Sequence, residues 1–428
     1  MINNGINFPE GINKAEVYTG TNKKIELDLI SYRIFNYKAF HDSGDILLKP
    51  LVMFYGNNSA GKTAIHQPLL LLIAAREQDR KSTNVNKSLV ELEGNNCSID
   101  DIRNHAYNQE KTSLIFNFFN NSNRNMDDEE LLTASSHICY ELSFSAYNDD
   151  FVEDGVISFK DTKYRVSDYY EFVNVFFLKE KTKEIPDGVK SLANGITDAL
   201  RKFADELCYM GPVRKEAQRE FVFSGKTPMS IGEDGVNAYE KLFSLINDSK
   251  VKNDEINRWI SEFGYKLVWK PVERNRGRLM LKDVNTGLET NIVDNGFGIG
   301  QSLPVIVQMA TMKNGTFLSD SPEAFLQANM QSKMADYVIG CVNRGNRLIV
   351  ETGSEAFLYR VRRNISQGKI SQDDVILYFI DSERAGDSKC IRINIDRKGY
   401  LSRQNNSFNR FFSGSFEDLS IMSMGINK

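Results

Sequence analysis

An α/β fold is predicted by three features of this 428-residue sequence. First, a short apolar run, Leu51–Tyr55, passes directly into a glycine-rich turn and then into a strongly apolar helical stretch, Ile65–Ala75. Second, from about Gly296 to Ile380 the apolar periodicity reads helix, strand, helix, strand, helix, strand, an α/β pattern. Third, aromatic-rich runs between these regions read as further strands. The composition permits such a fold, since 41% hydrophobic and 26% charged residues can close a sizeable core.

Taken in chain order, residues 1–26 are rich in Asn, Gly and Lys, lack a period, and read as an N-terminal arm. Residues 27–185 are expected to form a first lobe. Its strands are near Ile25–Phe35, Asp45–Leu48 and Leu51–Tyr55, followed by the helix Ile65–Ala75 and the strands Leu114–Phe119 and Ile138–Tyr147. The Asn/Asp/Glu run from Asn120 to Glu130 reads as an exposed turn. Two further aromatic-rich strands are expected within 151–180. Residues 186–264 are helical in pattern and are expected as an insertion; the exception is Tyr209–Arg214, whose Gly211–Pro212 pair breaks any helix. Residues 265–428, opening with an alternating stretch at 266–282, form the second lobe. No repeat occurs at solenoid periods.

The charge balance restricts function. Net charge is −4 with neither half strongly basic, so contact with DNA would need a local patch or a partner. The clusters Arg274, Arg276, Arg278 and Arg360, Arg362, Arg363 read either as solvated edges or as such patches, as do Arg214 and Arg219 after the Gly-Pro turn. Five scattered cysteines lack metal-ligand spacing, and the four histidines all precede residue 138, so zinc chemistry and His-metal nucleases are not expected. Free thiols, no apolar leader and no stretch long enough to span a bilayer predict a cytoplasmic protein without a membrane partner.

The most specific motif is the turn itself. Gly56-Asn57-Asn58-Ser59-Ala60-Gly61-Lys62-Thr63 matches GxxxxGK[ST] in full, with an apolar strand before it and a helix after it. Glycines let consecutive N–H groups point inward at phosphate oxygens, and the following helix adds its positive end. Lys62 is expected on the β- and γ-phosphates, and the Thr63 hydroxyl on Mg²⁺. ATP with Mg²⁺ is the predicted ligand, in a P-loop NTPase fold. Pro68, on the second turn of the helix, removes one backbone hydrogen bond beyond the phosphate-facing amides.

Together with this loop, later segments carry a resemblance. They are Tyr209-Met210-Gly211-Pro212-Val213-Arg214, the run Gly296 to Val305 (GFGIGQSLPV), Phe317 to Glu323 (FLSDSPE), and Val350-Glu351-Thr352-Gly353-Ser354-Glu355. In order and spacing the chain resembles the RecF/SMC-like branch of ABC-type ATPases, and more closely the bacterial anti-phage, OLD-like group. The resemblance implies a two-lobed ABC-type head with a helical insertion. It implies that ATP is sandwiched in a homo-oligomer between one subunit's loop and another's signature, here Gly298, Gly300 and Gln301. A glycine-rich turn opening a helix can offer amides to a phosphate, although an ordinary strand–helix turn reads the same way in isolation. The resemblance also places Asp320, at a strand end, in the Mg²⁺ shell.

Three positions depart from that pattern. The place after the metal carboxylate, where a glutamate usually orients water, is Ser321; Glu323 is the expected substitute, with Glu351 and Glu355 as alternatives. The switch histidine is Gly353, and the signature serine is Gly300. Catalysis is therefore assigned to Lys62, Asp320 and Glu323, with slow or conditional hydrolysis. By resemblance, the chain is a sensor or scaffold subunit of an anti-phage complex of the Septu or PARIS kind. It would control a separate effector, a nuclease, in response to DNA or a phage-derived trigger. The rivals are a RecF-like DNA repair ATPase and a nucleotide-locked scaffold that does not hydrolyse.

Overall fold

The computed structural model describes residues 26–80, 104, 106, 111–120, 138–145, 154–159, 162–168, 170–172, 178–182, 185, 187–228, 230–248, 250–382, 387–402, 407–409 and 411–412. The arm up to residue 25 and the expected turn at 121–130 lie outside the described residues.

The chain opens with β1 (Leu27–Tyr37), β2 (Phe40–Asp42), β3 (Ile46–Leu47), β4 (Leu51–Gly56) and helix α1 (Lys62–Arg80). Next come β5 (Lys111–Asn120), β6 (Ile138–Ser145), β7 (Asp154–Phe159), β8 (Thr162–Arg165), β9 (Tyr170–Phe172) and β10 (Leu178–Glu180). Helix α2 (Asp187–Glu206) leads to β11 (Leu207–Met210) and β12 (Phe221–Val222), then to α3 (Ala238–Asp248) and α4 (Lys250–Ser261). A hairpin of β13 (Tyr265–Glu273) and β14 (Arg276–Asp283) follows, with β15 (Glu289–Asn291). The final run is α5 (Phe297–Thr311), β16 (Thr316–Asp320), α6 (Ala328–Val342), β17 (Arg347–Glu351), α7 (Glu355–Ser366), β18 (Val375–Ser382) and β19 (Ser388–Ile393).

A six-stranded sheet in the order β11-β16-β17-β4-β18-β19 organises the molecule. All its pairings are parallel except β18 with β19. Every residue of β4 is buried, as a parallel strand covered on both faces requires. Its side chains alternate between two cores. Val52 and Phe54 face α1, α2 and a second, antiparallel sheet ordered β2-β1-β5-β6-β7-β8, with β3 on β1. Leu51, Met53 and Tyr55 face α3 to α7 and the smaller sheet of β12, β13, β14 and β15. The two N-terminal strand runs and the alternating helix–strand run occur where the periodicity puts them. Helix α1 continues through Pro68.

The stretch 186–264, expected as an insertion, is divided between the cores. Val189, Leu192, Ile196, Leu200 and Phe203 of α2 pack with β1 and α1, and β11 becomes the edge strand beside β16. Leu242, Leu245, Ile256, Trp259 and Ile260 of α3 and α4 pack against the other face with α5. An amphipathic helix must bury its apolar stripe against another element, and these helices find that cover on the existing sheet. Among the described residues, no helix is long and apolar enough to cross a membrane.

Candidate functional site

The C-terminal ends of β4, β16 and β17 lie side by side, and the site is built there. Beyond β4 the chain turns through Gly56 (φ 151°), Ser59 (φ 62°) and Gly61 (φ 99°) before α1 begins at Lys62. A Cβ at Gly56 would lie 2.4 Å from the carbonyl oxygen of Ile380, and one at Gly61 would lie 2.8 Å from the Cβ of Ala39. Glycine is therefore required at both places by packing as well as by φ. Asn57, Asn58, Ser59 and Thr63 are exposed, whereas Ala60 is buried and its N–H donates to the Asn57 carbonyl at 3.2 Å. The Lys62 Nζ folds back onto the carbonyls of Gly56 and Asn57, both at 2.9 Å. A cation is thus held over an open ring of backbone at a helix N-terminus, the arrangement that receives phosphate.

The opposite wall is acidic. Asp320 ends β16 and is in register with Glu351 at the end of β17. Both are buried. The Thr63 hydroxyl approaches Glu351 Oε2 at 3.4 Å, and His66, one turn along α1, has Nδ1 3.6 Å from the same oxygen. Burial holds His66 down at about 3, so it is a neutral neighbour. Burial pushes Glu351 up to about 7, with the charge of Asp320 adding to the effect and Lys62 and Thr63 opposing it. Asp320 is raised by burial too, against the Ser321 hydroxyl, Arg214 and Lys62. Glu323 is pushed up to about 7 by burial; the Thr352 hydroxyl donates to its Oε1, while its Oε2 has no partner.

These hard oxygen donors fit Mg²⁺. The Thr63 hydroxyl, Glu351 and Asp320 meet where acids crowd one another, and a divalent cation would favour their charged forms. Among the described residues no group of three or more His, Cys, Asp or Glu side chains forms a metal site, so phosphate and water oxygens would have to complete the shell. Glu351, considered from the sequence only as an alternative base, is thus the carboxylate that the Thr63 hydroxyl contacts. Its position at the end of the strand neighbouring β4 was the available signal.

Ser321, at φ 47°, turns its hydroxyl onto Asp320 Oδ1 at 2.9 Å, and its N–H donates to the Glu351 carbonyl at 2.7 Å. Gly353 is exposed and carries nothing toward the site. The guanidinium of Arg214 is buried and its Nη2 donates to the carbonyls of Asp320 (2.8 Å) and Ser321 (3.0 Å), so it pins the carboxylate loop, while its Nε and Nη1 have no hydrogen-bond partner. Burial lowers it to about 10.

Gln301, expected at a subunit contact, points inward instead. It is buried, its Oε1 accepts from the Arg214 N–H at 3.0 Å, and its Nε2 donates to the Arg214 carbonyl at 2.8 Å. A primary amide satisfied at both ends by one backbone residue is a splint between β11's loop and α5. Gly298 and Gly300 lie at the outer end of α5. Its N-cap, Gly296, makes no side-chain cap, which leaves first-turn amides for another acceptor. Gly298 sits against the Phe325 carbonyl, which an added Cβ would approach to 2.7 Å. Beside it, Phe297 and Phe325 are exposed and stack edge-on at 4.9 Å.

Five of the other arginines singled out in the sequence have partners. Arg219 binds Asp294, Arg276 and Arg278 bind Glu220, and Arg360 binds Asp336. Arg362 donates to the Gly399 carbonyl.

Comparison with known proteins adds three findings. The family described as "AAA ATPase domain" matches residues 29–358, well over half of the chain. No curated protein matches the sequence. Among solved structures, the chain is similar to an Smc head bound to the C-terminal winged-helix domain of ScpA (11% identity; 86% of this chain and 98% of that one covered; TM-score 0.46). It is also similar to the SMC head domain from Thermotoga maritima (10% identity; 86% and 100% covered; TM-score 0.42). A third is the Smc head with an extended coiled coil bound to the C-terminal domain of ScpA, derived from Pyrococcus furiosus (10% identity; 86% and 96% covered; TM-score 0.46).

Proposed function

The chain belongs to the AAA ATPase domain family, and from that premise we propose that it holds ATP with Mg²⁺, hydrolyses it slowly or conditionally, and serves as the sensor or scaffold subunit of an anti-phage complex with a separate nuclease effector. Lys62 leaves the carbonyls of Gly56 and Asn57 for the β- and γ-phosphates, and the amides of 57–62 close around the phosphate oxygens. Thr63, with Asp320 or Glu351, would hold Mg²⁺, which supplies charge neutralisation on the phosphates.

One observation carries the slow-turnover reading. The residue after Asp320 is a serine whose hydroxyl is spent on Asp320, and Gly353 has no side chain. The expected substitute, Glu323, is a buried acid raised to about 7 and tethered through Thr352. A group that orients attacking water must be ionised and free to reach it. The open amide end of α5 and the exposed Phe297–Phe325 pair support assembly with a second copy around the nucleotide. The register of the later motifs supports the defence role.

The test follows the fate of labelled ATP in the bound fraction over hours, with Mg²⁺, beside Lys62→Ala. ATP retained intact by the native chain and absent from the variant is the expected result. Steady conversion to ADP would hand the water-orienting role to Glu323 and replace the slow reading. Turnover that rises sharply with DNA would replace the defence role by repair.

A further inference from the structure

An open cleft of about 660 Å³ lies beside the carboxylate loops, between the start of α7 and the β16–α6 connection. Ser321, Glu323, Gly353, Ser354, Glu355 and Tyr359 line it, with only alanine and one glutamine besides. No residue of the 56–63 loop does, so the cleft is distinct from the phosphate cradle. Its wall carries two carboxylates and no lysine or arginine.

Two details show that the cleft can take a ligand. Glu323 is only 5% exposed, and Oε2 has no hydrogen-bond partner although Oε1 takes the Thr352 hydroxyl. A buried carboxylate with one oxygen unmet is costly to leave so. Arg214 is a cationic neighbour of Glu323: its Nη2 donates to the carbonyls of Asp320 and Ser321, while its buried Nε and Nη1, like Glu323 Oε2, have no hydrogen-bond partner. Arg362 stands over the Tyr359 ring at 5.5 Å, committed to the Gly399 carbonyl, and does not line the cleft. The second detail is Gly353. Nothing lies within 4 Å of the place where its Cβ would stand, and its φ is outside the left-handed region. Neither packing nor backbone demands glycine there, and its missing side chain leaves the mouth of the cleft open.

We propose that this cleft is a socket for a cationic side chain, an arginine or lysine presented by a basic partner protein, with Glu323 as the main acceptor. Charge favours that source over a second copy, since this chain carries −4 overall and has a pI near 5.8. A cation seated there would stand beside the carboxylate wall, in the room left by Ser321 and Gly353, and would make nucleotide turnover depend on the partner. That consequence rests on the ATP-binding reading; the binding of the cation does not.

The probe is acetyl-Gly-Arg-Gly-amide against its citrulline isostere, titrated calorimetrically into the full chain without nucleotide at matched salt. The arginine peptide is expected to bind at least about tenfold more tightly than the citrulline peptide. Glu323→Gln, which removes the charge, and Gly353→Phe, which fills the open mouth, are each expected to erase that difference. They act at separate points, so a folding failure in one leaves the other informative. Equal binding of the two peptides by the native chain, or discrimination that survives either variant, overturns the proposal. So does an ATP-dependent dimer, seen by mass measurement, that Gly353→Phe abolishes, because it would assign the cleft to a second copy. ATP affinity, measured separately against Lys62→Ala, fails or holds independently of the peptide result.

Discussion

At Gly56 an added Cβ would meet the Ile380 carbonyl at 2.4 Å, whereas at Gly353 it would meet nothing within 4 Å. The two glycines stand at the ends of neighbouring strands, β4 and β17, on the two sides of one site. On the phosphate-loop side, function is a property of the backbone: positive φ, packed glycines and a helix start. On the carboxylate side it depends on side chains whose ionisation burial works against. Nucleotide binding and nucleotide turnover are therefore built by different means, and one can be kept while the other is lost.

The sharpest way to break that contrast is to rebuild the depleted side. Ser321→Glu combined with Gly353→His should raise ATP turnover by roughly two to four orders of magnitude, if the missing carboxylate and imidazole are what limit it. Single-turnover rates at saturating ATP and Mg²⁺ measure this, and an unchanged rate would place the limit elsewhere, in assembly or in product release. Lys62→Ala attacks the complete side. With the only side-chain cation of the loop gone, ATP affinity should fall by about 100-fold, read with a fluorescent ATP analogue. Gly56→Ala should be worse for the fold than for the ligand, because both φ and packing oppose it.

The same contrast explains what could be read from the sequence. The phosphate loop is eight consecutive residues after a wholly buried strand, so its signal is local and survives without a structure. The order of the C-terminal helices and strands was legible too, because helix and strand periods alternate cleanly from α5 to β18. Partner choice was not. Gln301 and Arg214 are 87 positions apart, and Thr63 and Glu351 are 288 apart. Nothing in a local pattern says that the glutamine turns inward to splint the arginine backbone, or that this arginine lies under the carboxylate loop. The division of 186–264 between two cores was hidden for the same reason: periodicity identifies a helix's apolar stripe but not the surface that covers it.

Proton linkage tests the carboxylate side more gently. Glu323 and Glu351 sit at about 7 in the folded chain, against 4.5 in the unfolded one. The native state thus keeps protons that the unfolded state releases, and stability contributed this way falls as pH rises from 4.5 through about 7, then levels. His66 works in the opposite sense. Held at about 3 against 6.5, it makes the native state lose stability as pH drops below 6.5. Since the windows overlap, the difference between variant and native chain is the useful quantity. Glu323→Gln should gain on the native chain by about 1–3 kcal/mol between roughly pH 5 and 8, read from urea midpoints. A constant difference across that range would mean that Glu323 is ionised throughout.

The smallest expected effect is also the most discriminating. Gly353→Ala adds a methyl group where there is open space, at a backbone position that any residue can adopt. Its stability should lie within about 0.5 kcal/mol of the native chain, and ATP affinity should not change. If instead the substitution unfolds the chain or lifts ATP from the loop, then glycine 353 is a backbone requirement like Gly56. The carboxylate side would then be as tightly specified as the phosphate loop, and the cleft beside it would be a by-product of packing with no side chain to receive.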